Sequence, residues 1–356
     1  MMYAYVGCYT TPDRDGRGQG IQVYRMDQSS GAWTHVQLLE DVPNPSFLAL
    51  NPGHDRLYCV HGGDTYSQVS AFDIDRATGR LAFINSQPSG GHNPVGLSVS
   101  SAAPFLVVAN YGAGTVGCLP VNPDGSLGPA TDVVTLTGEP GPHPKEQASS
   151  HPHHIPFDPA CRFFVVPDKG FDRTFVFRVD PQTGKLVPGA TPSAQSKPGA
   201  APRHAAFHPS APYAYVINEL DSTLTTFAYD AERGALVERQ VISTLPPDFE
   251  GRSTTAEIWV APSGRFVYGS NRGHDSIGVF AVDERDGTLT PIGWEPSGGK
   301  TPRYFALDPS GSFLYAANQG SDTIVAFRVD RQTGTLTPTG QVIETGSPVC
   351  IVFADV

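Results

Sequence analysis

The chain has 356 residues, of which 39% are hydrophobic and only 17% charged, with 38 glycines, 33 prolines and a formal net charge of −11. So acidic a chain argues against nucleic acid or an anionic membrane as partner, since both want a basic face. Low charge with frequent Gly and Pro suits many short strands joined by turns, not long surface helices. No basic segment followed by an apolar run opens the sequence, and no stretch approaches the roughly 20 apolar residues that span a bilayer. The five cysteines (Cys8, Cys59, Cys118, Cys161, Cys350) are scattered without a CxxC. Cys59, Cys118 and Cys350 sit in apolar runs and read as small buried hydrophobes. A reducing, cytoplasmic compartment is expected.

In chain order, "AYVGCYT" near the N-terminus, then "GIQVYRM" and "WTHVQLL", read as the second, third and fourth strands of a four-strand unit. Six full copies of the unit follow, starting at Asn44, Asn93, His151, Ala201, Thr254 and Thr301, at a spacing of roughly 50 residues. Each copy opens with a short apolar strand and a Pro-Ser-Gly-like turn. An alternating aromatic strand (as in "FLYAAN") leads to a second Gly or Asp turn. A third strand (as in "TIVAF") ends at an Asp, and "xxTGxL" makes a hairpin into a fourth. Alternation of period two with turn residues between strands is the pattern of antiparallel strands. Four such strands per repeat match a propeller blade. The first strand missing at the N-terminus reappears at the C-terminus as "SPVCIVF", Ser347 to Phe353. It would complete the first blade and close the ring with no open edge. The expectation is an all-β, seven-bladed propeller forming one domain over residues 1–356. A β-solenoid does not account for the permuted closure.

Equivalent positions can be compared between blades. Positions that fill the same structural slot should be alike, whereas a site assembled once should show unlike residues. Six before each turn proline, or its equivalent Ser101, stand Ser46, Val95, His153, Arg203, Ala256 and Arg303, with Val349 in the closing strand. One after the Asn-like end of each second strand stand Tyr9, Gly62, Tyr111, Lys169, Glu219, Arg272 and Gln319. First strands line the channel and second strands run antiparallel beside them, so both rings should meet at one mouth. His153, Arg203, Arg303, Lys169, Glu219 and Arg272 then surround one funnel. A concave cationic funnel in an acidic protein suits a small anionic ligand.

The run "HPHH" at 151–154 raises the question of zinc. A metal site needs two or three further ligands in fixed geometry, and the neighbouring ring positions offer Arg and Lys, which repel cations. No metal and no cofactor are expected. His151 and His154 are expected to cover the turn or alternate to the far face of the strand.

At these residues the sequence resembles the seven-bladed propeller lactonases, the group of the cycloisomerase-type 6-phosphogluconolactonases and carboxy-cis,cis-muconate lactonizing enzymes. "YVGCYT", "PHH" at His153, "PRHAAFHP" at Arg203, "YVINEL" at Glu219, "AEIWVAPSGRFVYGSNRGHDSI" and "PRYFALDPSG" carry the resemblance, which spans essentially the whole chain. It implies that His153, Arg203, Glu219 and Arg272 are the site residues, with Arg303 close by. It also implies a role in carbohydrate metabolism, in the pentose phosphate pathway. Several relatives carry His where this chain has Trp259. Trp259 is therefore expected to line the pocket and alter which ring substituent fits.

Lactone hydrolysis needs an activated water, a place for negative charge and a proton for the leaving alkoxide. Glu219 is the first choice as general base, with His153 as proton donor, although the two roles could be exchanged. Arg203 and Arg272 would hold a carbonyl oxygen, carboxylate or phosphate, because a guanidinium fork fits planar anions. Arg303 and Lys169 would complete anion binding, with Trp259, Tyr111 and Tyr9 as further substrate contacts. The expected partner is a small anionic sugar lactone, and the expected assembly a monomer or weak homodimer. Two alternatives stay open: a cycloisomerase closing a lactone from an unsaturated diacid, and a non-catalytic interaction platform.

Overall fold

The alternating segments of each repeat form strands of 4 to 10 residues. In the computed structural model, which describes residues 1–356, these strands form seven separate sheets. The only helical turn is a short 3-10 segment, Pro12–Arg14. Blade 1 is assembled from both ends of the chain. Its innermost strand, Pro348–Asp355, pairs antiparallel with Met2–Cys8, in register from Met2 with Asp355 to Gly7 with Cys350. Ile21–Met26 and Trp33–Leu39 complete it. The permuted closure read from the sequence is therefore the closure observed. No helix is long and apolar enough to cross a membrane.

Blades 2 to 7 follow in chain order, with innermost strands Pro45–Leu50, Pro94–Val99, the segment 151–157, Pro202–Phe207, Thr254–Val260 and Pro302–Leu307. Blade 4 departs from the pattern. Its inner segment makes only two isolated bridge pairs, Pro152 with Asp168 and Phe157 with Phe164, so the regular sheet there has three strands. Pro156 interrupts this segment, since it cannot donate to a ladder, whereas the proline at the Pro152 position also opens the regular inner strands at Pro45, Pro94, Pro202 and Pro302.

Large side chains fill the gaps between neighbouring sheets. Phe163 and Val165 of blade 4 pack with Val216 and Phe227 of blade 5, and Tyr215 and Ile217 of blade 5 with Ile258 and Phe280 of blade 6. A repeated latch adds to this packing. Tyr5, Tyr58, Tyr215, Tyr268 and Tyr315 are each fully buried. Each donates its hydroxyl to a glycine carbonyl in the third-to-fourth-strand turn of the next blade: Gly79, Gly125, Gly287, Gly334 and Gly31 respectively, at 2.7–3.1 Å. The latch needs glycine at Gly334 for two reasons. Its φ is +77°, and an added Cβ would lie 2.5 Å from the Phe266 ring. Blades 3 and 4 carry Val107 and Val165 at the tyrosine position and lack the latch. Tyr268→Phe should lower stability by about 1–3 kcal/mol, because the Gly334 carbonyl stays buried without its donor. Urea unfolding of the variant measures this, and an unchanged midpoint would show that the latch contributes nothing to stability.

Candidate active site

The inner strands do not run straight. In blades 2, 3, 5 and 7 the register shifts between the first and third strand residues, so Ser46, Val95, Arg203 and Arg303 have no ladder partner. Val349 is skipped in the same way in blade 1. In blade 6 both Ala256 and Glu257 are skipped. A β-bulge re-aims the side chains of the strand that carries it. Six of the seven positions in the first ring, Ser46, Val95, His153, Arg203, Arg303 and Val349, line one narrow hollow. It shares Tyr9, Val95, His153 and Arg303 with a wider cavity of about 170 Å3, also walled by Tyr111, Lys169, Glu219 and Arg272. The two rings expected at one mouth thus meet there. A larger surface hollow of about 560 Å3, among Thr10, Gln19, Glu40 and Pro43, gathers no cationic side chain and no histidine or cysteine.

Glu219 is the electrostatic centre of the site. Its carboxylate lies 2.9 Å from Lys169 Nζ, 3.0 Å from Arg203 Nε and 3.3 Å from Arg272 Nη2. Burial pushes its pKa up, but Lys169, Arg272 and Arg203 outweigh burial and hold it well below the usual carboxylate range. Burial opposes the charge on Lys169, yet Glu219 and Tyr111 raise its pKa above the ordinary value. Backbone carbonyls fix the arginines: Arg203 Nη1 donates to Ala256 O and Arg272 Nη2 to Thr255 O. Arg303 stands apart from Glu219. It donates to Tyr9 Oη at 3.0 Å and lies over the Tyr9 ring.

His153 is 6% exposed. Its Nδ1 lies 3.2 Å from His204 Nε2. Its Nε2 makes no protein hydrogen bond, and it is the ring nitrogen left for the cavity. Burial, then the Arg203 charge, hold its pKa well below 6.5, so the ring is neutral at pH 7. The other two histidines of the run have structural duties. His151 donates from Nδ1 to Tyr111 O and stacks on the Tyr111 ring at 4.3 Å. His154 accepts from Ala205 N at Nδ1 and stacks on His204 at 4.3 Å. No three His, Cys, Asp or Glu side chains gather into a metal-holding group.

Trp259 does not line the cavity. It pairs with Tyr268 farther along its strand and packs against the core. It stands four steps along the strand from Thr255, roughly 13 Å, so it lies well below the mouth. Tyr9 and Tyr111 do line the cavity, and Tyr111 meets His153 edge-on at 5.6 Å.

Sequence reading missed several groups. Arg14 and Asn93 line the cavity, with Arg14 Nη2 donating to Asn93 Oδ1 at 2.9 Å. Arg14 sits in a 3-10 turn peculiar to blade 1, so no repeat comparison could reach it. Glu146, from the connection after the third blade, lies 3.3 Å from Lys169 Nζ. His204 and Glu257 lie in the channel, only 2% exposed. Strict alternation after Arg203 turns His204 outward, whereas the bulges turn both inward.

Comparisons with known proteins agree with this fold. Residues 3–353 match the family model described as lactonase, 7-bladed beta-propeller. A 6-phosphogluconolactonase of Bacillus subtilis is 36% identical over 304 residues, covering 85% of this chain and 84% of its own. One from Formosa agariphila is 33% identical over 310 residues, covering 85% and 86%. The structure of a periplasmic gluconolactonase from Pseudomonas aeruginosa superposes with a TM-score of 0.91 at 32% identity, covering 100% of both chains. A channel mouth built from unlike residues on repeated blades, and a match from residue 3 to 353, lead to one conclusion: this chain belongs to the lactonase family of seven-bladed β-propellers.

Proposed function

We propose that this protein hydrolyses a sugar-acid lactone bearing an anionic group, with 6-phosphogluconolactone the first candidate, by acid/base activation of water without a metal. One observation carries the reading. A neutral histidine, His153, presents a free ring nitrogen to a cavity whose wall holds Arg14, Lys169, Arg272 and Arg303. These cations attract an anionic substrate and repel a metal cation. The names of the Bacillus and Formosa relatives point to the same substrate.

In this reading His153, not Glu219, is the base. The Glu219 carboxylate is taken up by three cations, whereas the neutral imidazole of His153 keeps an unbonded ring nitrogen within reach of a water in the cavity. His153 Nε2 takes a proton from water as the oxygen attacks the acyl carbon. Arg272, and Arg203 just beneath, set positive charge against the oxygen that becomes negative in the tetrahedral species. The proton then returns to the ring oxygen as the acyl C–O bond breaks. Glu219 keeps the three cations together and correctly placed. Arg303 and Arg14, at the mouth, hold the substrate's anionic group. All five cysteines are unpaired thiols, which suits the proposed reducing cytoplasm.

The test is hydrolysis of 6-phosphogluconolactone, gluconolactone, galactonolactone and an aldarolactone, followed by acid release, beside consumption of a carboxymuconate. No lactone opening, or muconate turnover alone, overturns the reading. Arg303→Ala should raise KM for the anionic lactone about tenfold and leave kcat nearly unchanged, as expected for a binding contact made equally in ground and transition states. Equal losses for the phosphorylated and plain lactones would remove Arg303 from anion recognition.

A further inference from the structure

Beneath the cavity lies a second acid/base set that the hydrolytic scheme does not use. His204 Nδ1 lies 3.1 Å from both carboxylate oxygens of Glu257, and His204 Nε2 lies 3.2 Å from His153 Nδ1. The three side chains form an unbroken line from the free Nε2 of His153 to a carboxyl group only 2% exposed. Besides His204, the Glu257 carboxylate receives one hydrogen bond, from Ile258 N to Oε1 at 2.9 Å.

We infer that His204 and Glu257 are a proton relay behind His153, which moves the proton taken from the cavity into the buried carboxyl group and returns it during the same turnover. The inference rests on the lactonase reading only in making His153 the base.

The relay has two end states. With Glu257 ionised, its oxygens accept from His204 Nδ1–H, His204 Nε2 accepts from His153 Nδ1–H, and His153 Nε2 carries a lone pair toward the cavity. When a proton arrives at His153 Nε2, the Nδ1 proton passes to His204 Nε2 and the His204 Nδ1 proton passes to Glu257. His153 then presents Nε2–H, a donor ready for the leaving oxygen. No imidazolium is left standing, and no proton is gained or lost overall.

The surroundings favour storing the proton on Glu257. Arg203, Lys169 and Arg303 all disfavour a positive charge on His153. His204 faces Arg203, His154, His153 and Arg303, and burial, then Arg203, hold its pKa well below 6.5. Glu219 is the one carboxylate that favours charge on His153, and it is itself neutralised by three cations. Glu257 faces Arg203, His204, Tyr304 and Cys350. Burial pushes its carboxyl up to about 8, against the Ile258 N–H and the Arg203 charge, which both lower it. A store that titrates near working pH both takes and releases a proton easily. His154 stays outside the line, because its Nδ1 already accepts from Ala205 N.

Glu257→Gln separates the relay from packing. Ile258 N–H holds the amide oxygen, so the amide NH2 points at His204 Nδ1. Donation to Nδ1 favours the Nε2–H form of His204 and a proton on the cavity nitrogen of His153, and in either tautomer the amide cannot take up a proton, so the line has no store at its end. For the purified variant, kcat should fall about 100-fold or more with KM nearly unchanged. The wild-type rise of kcat with pH, as Glu257 ionises, should disappear. Ring 15N shifts of His153 and His204 in histidine-labelled wild-type protein should switch tautomer together, at one midpoint. In Glu257→Gln they should not move. A variant within threefold of wild-type kcat that keeps the pH rise, or wild-type rings that each hold one tautomer throughout, would overturn the relay. Should the variant not fold, the wild-type nitrogen shifts alone distinguish a relay from fixed tautomers. Failure of the wild-type chain to open any lactone would sink the functional reading, while the nitrogen shifts still decide the relay.

Discussion

Replacing His153 with alanine is expected to lower kcat for lactone opening by about 10²- to 10⁴-fold, the usual worth of a positioned general base. KM should change little, because the anion-binding cations Arg14, Lys169, Arg272 and Arg303 stay in place. Those cations do not depend on the imidazole, which is neutral and bonds only to His204. Folding should survive for the same reason: no buried charge loses its partner. Steady-state kinetics across pH, with a thermal melt as control, measure both. A variant within fivefold of wild-type kcat would end the case for His153 as base and return the role to Glu219.

Glu219→Gln should fail differently. It leaves Lys169, Arg203 and Arg272 in one buried cluster without their shared carboxylate. Removing one partner of a buried ion pair typically costs about 3–5 kcal/mol, and Glu146, partly exposed and near Lys169 alone, offsets little of it. The melting temperature should fall by several degrees, on the order of 5 °C for a chain of this size. Inorganic phosphate should restore the variant more than it stabilises wild type, since the freed cations bind an anion only in the folded state. The direction with pH follows from the depressed pKa of Glu219. Its stabilising contribution is fully present above about pH 4.5, its unfolded value, and is lost only as pH falls through the much lower folded value. The kcat loss should be smaller than for His153→Ala. The opposite order, with Glu219→Gln the more damaged in kcat, would reverse the two assignments.

The sequence by itself determined the architecture, because that information is repeated. A slot filled in blade after blade leaves similar apolar and turn residues at the same positions, as with Tyr5, Tyr58, Tyr215, Tyr268 and Tyr315 in five of the seven. The missing first strand at one end and the spare strand at the other then gave the closure. The same comparison located the cationic ring, since unlike residues at equivalent positions mark what is assembled only once. The tertiary structure alone decided the depth and partners of that ring. Alternation of period two sends His204 and Glu257 to the face opposite the ring residues Arg203 and Ala256, and the lining role expected of Trp259 came from the resemblance. The bulges at the inner strand starts break the alternation, turning His204 and Glu257 into the channel behind His153, while strand length leaves Trp259 far below the mouth. Arg14 and Glu146 arrive from segments with no counterpart in other blades. Glu219 showed its chemistry only once three cations were seen to converge on it. Their convergence depends on distances set by neighbouring blades, about 50 residues apart in the chain, and local sequence pattern carries no measure of such distances.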